Sequence, residues 1–304
     1  MAAILFLSFA IEGADRVTVI THGAEVAGER PGWLDSMADA VAARSSTGAT
    51  VQRITIAPAD PFDIRLLYGT PFDPPTLAAT LTTERRSQST ETIIKIFWND
   101  VSGIFLDDVP TGDVAVIVLP LLPPGELHLI GHSRGASVMV ALATGLGTRP
   151  VSQLTFLDPH PDGAFDAAMK LPANVAFADN YYQTEVWPRG EAVAGAQNTR
   201  MHGLTHSGIH DWYLNTIRKA TLPYGYQFAV VPALRGHEGL LVPIRSRAGA
   251  FEFGFAGIIG RGYTVEMTSD FVTFLQVATG TVQTGFERLS MPAIAAGFFR
   301  VKVE

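Results

Sequence analysis

Residues 127–143, LHLIGHSRGASVMVALA, constrain the fold more than any other stretch of the chain. Leu127 to Ile130 read as a short buried strand, and GHSRG as a tight turn. The run that follows reads as a helix with apolar positions at Val138, Val140 and Leu142. Gly131 and Gly135 flank the turn because a side chain at either position would collide with the adjoining strand or helix. The residue at the apex, Ser133, takes a strained backbone conformation that lifts its hydroxyl over the carboxyl edge of the sheet. The helix behind it offers unpaired N–H groups and the positive end of a dipole, which suit a developing oxyanion. A tight βα turn with a solvent-facing serine is the plain alternative; the strand before and the helix after favour chemistry. Ser137, one helical turn on, reads as a small packing residue.

The surroundings fit an α/β protein. Of the 304 residues 47% are apolar and 17% charged, which excludes a disordered chain and requires a large core. A net charge of −7 without a basic run argues against non-specific binding to nucleic acid or an anionic membrane surface. With no cysteine, the nucleophile is not a thiolate and neither a disulfide nor a cysteine-ligated zinc holds the fold. The apolar run Ala2 to Ile11 is too short to span a membrane and lacks a basic flank; it reads as a buried strand pairing with Arg16 to Thr21. No other stretch reads as transmembrane. Up to about residue 222, strands alternate with helical patterns, the signature of a mostly parallel sheet with crossovers. Residues 223–304 change texture: YQFAVV, LLVPI, FEFGF, YTVEM, FVTFLQVA and FFRVKV are short β-rich segments, which predicts a small antiparallel module. The expected division is therefore 1–222 and 223–304.

Three further elements bear on Ser133. The strand RVTVIT ends in His22-Gly23-Ala24, where the chain can turn a backbone N–H into the crevice above the sheet. The N–H groups of Ala24 and Arg134 would then form a two-donor oxyanion hole, with His22 fixing the loop rather than acting as a base. Two strands after Ser133 are expected to end in an aspartate, QLTFLD at Asp158 and NVAFAD at Asp179, and either could orient a histidine. The base comes from His202, His206 and His210. With Ser207 as helix N-cap, His206 lies on the loop just outside the helix, free to approach the serine. His210, in the first turn, is the alternative. His160 follows Asp158 too closely to serve as base and lines the site or holds its loop.

Taken in order, THGA with a Trp33-Leu34 helix after it, the strand KIFWND, LHLIGHSRGA, FLDP, and a histidine six residues before Trp212-Tyr213 resemble the α/β-hydrolase superfamily. Within it they are similar to pancreatic-type neutral lipases and bacterial lipase or esterase relatives, across residues 16–217. The resemblance implies the α/β-hydrolase fold, Ser133 as nucleophile, Asp158 of the LDP motif as acid, His206 as base, and Ala24 and Arg134 as oxyanion residues. It implies a serine carboxylic-ester hydrolase acting on a small-molecule ester or lipid, with no cofactor and no metal. Phospholipase A1, peptidase or acyltransferase chemistry on the same triad, or an inactive binding protein of the same fold, are the rivals. A secreted bacterial setting is favoured over a cytoplasmic one. The chain departs from that family at Arg134, where many members carry leucine, and in lacking lid cysteines. Residues 61–75 and 181–198, with aromatics beside Gly and Pro, are the candidate lids, with an ordinary long loop as the plain alternative for each.

Overall fold

The computed structural model describes residues 15–25, 30–45, 47–60, 76–102, 109–161, 166–201, 203–218, 225–230, 242–247, 250–256, 262–268, 273–283, 286–292 and 298–303. The Ala2–Ile11 run, His202 and the candidate lid at 61–75 lie outside the described residues.

The β-branched run RVTVIT forms β1 (Arg16–Thr21), followed by α1 (Trp33–Ala42). Then come β2 (Thr50–Pro58), β3 (Leu77–Arg85), β4 (Glu91–Phe97) and α2 (Thr111–Val118). The Ser133 segment folds as β5 (Glu126–His132) and α3 (Gly135–Gly145), succeeded by β6 (Val151–Leu157), β7 (Ala178–Tyr182), β8 (Gln197–Arg200), α4 (His206–Arg218) and the short α5 (Gln227–Val230). These strands make one eight-stranded sheet in the order β3-β2-β4-β1-β5-β6-β7-β8. All neighbours are parallel except the edge strand β3, which runs antiparallel to β2. β3 is a strand that the sequence pattern did not announce: LAATLTTER has little apolar alternation, and most of its side chains are exposed.

The period-2 geometry of the strands divides the core in two. Val17, Val19, Ile94, Ile96, Leu127 and Leu129 point to one face, where they meet Val114 and Val118 of α2 and Val138 and Leu142 of α3. Ile20, Ile93, Phe97 and Ile130 point to the other, against Leu34, Met37 and Val41 of α1 and Ile209, Tyr213 and Ile217 of α4. Burial on both faces explains why these strands read as continuous apolar runs. Among the described residues no helix is long and apolar enough to cross a membrane.

The remaining strands are β9 (Val242–Arg247), β10 (Ala250–Ala256), β11 (Gly262–Thr268), β12 (Leu275–Thr281), β13 (Phe286–Pro292) and β14 (Phe298–Val303). They form two antiparallel three-stranded sheets, β13-β10-β9 and β12-β11-β14. Phe253 and Phe255 from one sheet and Tyr263 and Val265 from the other share a separate small core. The fold class is thus a mostly parallel central sheet covered by helices, followed by small antiparallel sheets. YQFAVV departs from its β reading: Gln227–Val230 is helical, and Tyr226 packs in the cluster under α1 and α4. Tyr226 buries its ring against Tyr213 and beneath the Arg44 guanidinium, so tertiary contacts override a weak local β preference.

Candidate active site

Ser133 sits at the end of β5 with φ +56, and Asp158, just past β6, has φ +48. Among the described residues these are the only non-glycine positions with positive φ. Such conformations are strained and persist only where the surroundings over-determine them. Here neighbouring strands do so: the Ser133 N–H donates to Leu157 O at 3.0 Å, and the Asp158 N–H donates to Tyr181 O at 2.7 Å. The elbow glycines are required sterically. A Cβ on Gly131 would meet the Gly135 carbonyl, and one on Gly135 would meet the His22 carbonyl.

The HGA loop after β1 and the Ser133 turn touch. A Cβ on Gly23 would lie 2.9 Å from Ser133 Oγ, so only glycine lets the HGA loop pass the serine. His22 holds that loop, as its position suggested. Its Nε2 accepts from the Trp98 N–H at 3.0 Å, which leaves the proton on Nδ1, donating to Gly23 O at 2.8 Å. Burial pushes the His22 imidazole down to about 4, with the bond to the Gly23 carbonyl opposing. Held neutral with both nitrogens occupied, His22 has no base to offer.

His206 Nδ1 lies 2.7 Å from Oδ2 of the fully buried Asp158. A carboxylate only accepts, so the imidazole proton resides on Nδ1 and the Nε2 lone pair is left bare, the tautomer a general base needs. His206 is itself the first residue of α4 rather than a loop residue before it. The cap is Thr205, whose hydroxyl accepts from the Gly208 N–H at 3.1 Å, two residues before the expected Ser207 cap. His132, adjacent to Ser133, packs its ring 4.5 Å from that of His206 and donates from Nε2 to the His206 carbonyl at 3.2 Å. Burial first, then the neighbouring histidines, hold His132 well below the ordinary histidine range.

His210 lies one turn along α4, stacked face to face on Trp33 at 4.5 Å, with Nδ1 3.1 Å from the exposed Asp211. Burial lowers its pKa. His160 keeps to the rim, where its Nδ1 donates to Arg189 O at 2.8 Å and its ring stands 6.4 Å from His206. Ser137 is buried on α3 against Met169.

Asp179 does not end a strand. β7 begins at Ala178, so Asp179 is its second residue and lies in register with Thr155, three positions before Asp158. That is about 10 Å below the carboxyl edge at a strand rise of about 3.3 Å. It accepts from Thr155 Oγ1 at 2.7 Å and Gln153 Nε2 at 3.0 Å. Burial pushes its carboxyl up to about 6, against hydrogen bonds from Thr155, Gln153 and Tyr181. The strand starts later than its apolar letters suggest because the polar residues Asp179 and Asn180 find partners. Asn180 Nδ2 donates to Glu191 O at 2.8 Å and Asn198 Oδ1 at 2.7 Å, so each of the two buried side chains has hydrogen-bond partners.

No local sequence signal points to Gln183. Fully buried after β7, it donates from its backbone N–H to Asp158 Oδ1 at 2.7 Å and from Nε2 to Asp158 Oδ2 at 3.0 Å. The same amide reaches Val186 O at 2.8 Å and Pro188 O at 2.7 Å, and its Oε1 accepts from the N–H groups of Glu185 and Val186 at 2.8 Å. The 181–198 stretch, a candidate lid, is therefore wrapped around Gln183 and pinned to Asp158. Val186 and Trp187 are the large apolar side chains it leaves exposed. Among the described residues no group of three or more metal-ligating side chains converges.

No family model matches the chain, and no curated protein matches it. Among solved structures the chain is similar to that of a protein of Lactobacillus plantarum WCFS1, provisionally assigned as a cell surface hydrolase, at 9% sequence identity and a TM-score of 0.37, over 73% of this chain and 79% of that one.

Proposed function

We propose that the chain is a hydrolase, and specifically a serine carboxylic-ester hydrolase working through an acyl-enzyme. His206 Nε2 takes the proton of Ser133 Oγ as that oxygen attacks the acyl carbonyl carbon. The carbonyl electron pair moves onto oxygen, and the N–H groups of Ala24 and Arg134 hold the resulting oxyanion. When the tetrahedral intermediate collapses, the imidazolium gives its proton to the departing alkoxide; His206 then activates a water that cleaves the acyl-serine bond. Asp158 keeps the imidazole in its productive tautomer and stabilises it when charged. The observation that carries the reading is the 2.7 Å contact from His206 Nδ1 to the buried Asp158 carboxylate. It stands on the strand beside the one that delivers a strained serine to a helix N-terminus. Ester or lipid substrates and a secreted setting are part of this reading, as is a division into a catalytic unit and a β module. The packing of Tyr226 in the cluster with α1 and α4, and of Phe228 on Phe177, supports drawing that division beyond Val230 rather than at residue 222.

The test is labelling of the folded protein with a fluorophosphonate. Labelling at Ser133, abolished in Ser133→Ala, is expected; no labelling of the wild type overturns the enzyme reading. Initial rates on nitrophenyl esters of rising chain length, alongside a triglyceride emulsion and a phospholipid, separate esterase from lipase and phospholipase.

A further inference from the structure

The residue after the candidate nucleophile carries a long cation that ester hydrolysis does not require, and its side chain is buried. Taking a guanidinium out of water is costly unless its donors are met. Those of Arg134 are met by three separate segments. Nε lies 3.0 and 3.2 Å from the two carboxylate oxygens of Asp166, and one terminal nitrogen donates to Asp166 Oδ1 at 2.8 Å. That nitrogen also reaches Val109 O at 3.1 Å, while the other reaches Ser102 O at 2.5 Å. The guanidinium carbon stands 5.4 Å from the centre of the Trp98 ring.

Two of these neighbours are the anchors of the HGA loop. Trp98 fixes His22 twice, with its backbone N–H on His22 Nε2 and its indole Nε1 donating to His22 O, each at 3.0 Å. Ser102 Oγ accepts from the Glu25 N–H at 2.9 Å. Ala24 lies between His22 and Glu25, so its backbone is bracketed by Trp98 on one side and Ser102 on the other. Both brackets rest on the Arg134 side chain, and Arg134 supplies the second donor from its own backbone.

Resting on the ester-hydrolase reading, we propose that the Arg134 side chain is a positioning residue that sets the spacing between the two oxyanion donors, the N–H groups of Ala24 and Arg134, with Asp166 as its counter-charge. It acts through Trp98 and Ser102 and touches no reacting atom. The donors must lie within a few tenths of an ångström of where the oxyanion develops, and a loop held by backbone bonds alone does not ensure that.

The experiment compares wild type, Arg134→Leu, and the double variant Arg134→Leu/Asp166→Leu, which leaves neither charge buried alone. The readouts are kcat and KM on a nitrophenyl ester, inhibition by an alkylboronic acid that forms a tetrahedral adduct on the serine, fluorophosphonate labelling, and thermal unfolding. Both variants should lose kcat by ~10–100-fold, with KM held within about threefold, and boronate affinity should weaken by the same factor as kcat/KM. The double variant should regain thermal stability without regaining kcat. A folded double variant with kcat and boronate affinity within about twofold of wild type overturns the positioning role while leaving the hydrolase reading intact. If wild type fails to label, both readings fall, and that arm alone reveals it.

Discussion

Gln183 donates to both oxygens of Asp158, through its backbone N–H to Oδ1 and through its side-chain amide to Oδ2, the oxygen that also meets His206. The carboxylate is thereby fixed in rotation as well as in place. Replacing Gln183 by Leu keeps the backbone donor, removes the amide and leaves the N–H groups of Glu185 and Val186 without their acceptor. The expected outcome is a loss of kcat of ~10–100-fold together with a lower Tm, since outer partners of a catalytic group carry effects of this size. An unchanged kcat beside a lower Tm would assign Gln183 to the loop alone.

The two aspartates should respond differently to the same change. Asp158→Asn leaves the imidazole free to take the wrong tautomer and is expected to lower kcat by ~10⁴. Asp179→Asn, about 10 Å below the sheet edge, is expected to stay within about threefold of wild type. Near-normal turnover in Asp158→Asn would remove that residue from the mechanism.

Asp179 also has a thermodynamic signature. Its carboxyl is raised to about 6 by burial, while an unfolded aspartate titrates near ~3.9. Between those values the folded state holds more protons than the unfolded state, so this group's contribution to stability falls as pH rises from about 4 to about 6. Asp179→Asn should be more stable than wild type above that window, by on the order of 3 kcal/mol at most, and equal to it near pH 4. Urea unfolding at pH 4 and pH 8 measures the difference; a variant less stable at pH 8 than at pH 4, relative to wild type, has the wrong sign.

His22 works in the opposite sense. Its imidazole is lowered to about 4 by burial, against ~6.5 for an unfolded histidine. In that interval the folded state holds fewer protons, so stability is lost as pH falls from about 6.5 to about 4. His22→Gln, whose carbonyl can still accept from the Trp98 N–H, should flatten this acid limb by on the order of 3 kcal/mol. It should also lower kcat, because the loop bearing Ala24 loses its bond from Nδ1. An unaltered acid limb in the variant would show that His22 does not titrate on unfolding.

How much was legible followed from how local each signal was. The elbow at Ser133 is written in seventeen consecutive residues, and the apolar spacing Leu34, Met37 and Val41 lies within the ten residues of α1. The choice between Asp158 and Asp179 was not, because both follow apolar runs and both precede polar turns. It turned on which strand starts where, and β7 starts at Ala178 only because Asp179 and Asn180 find buried partners on Thr155, Gln153 and Asn198. The Thr205 cap shows the smaller form of the same effect: Thr205 and Ser207 are equivalent as letters, and the direction in which the chain enters α4 selects between them.

By itself the sequence determined the alternation of strands and helices, the strained serine turn, the HGA strand end, and, through the lack of cysteine, the exclusion of a thiolate. The first three depend on residues within one turn or one strand of each other, where sterics and periodicity act directly. Only the tertiary structure decided that His206 Nδ1 meets Asp158 across 48 residues of chain, that Gln183 locks that carboxylate, and that Arg134 joins Ser102, Val109 and Asp166. Hydrogen bonds of that kind join side chains whose positions depend on sheet order and register, and no local preference encodes either one.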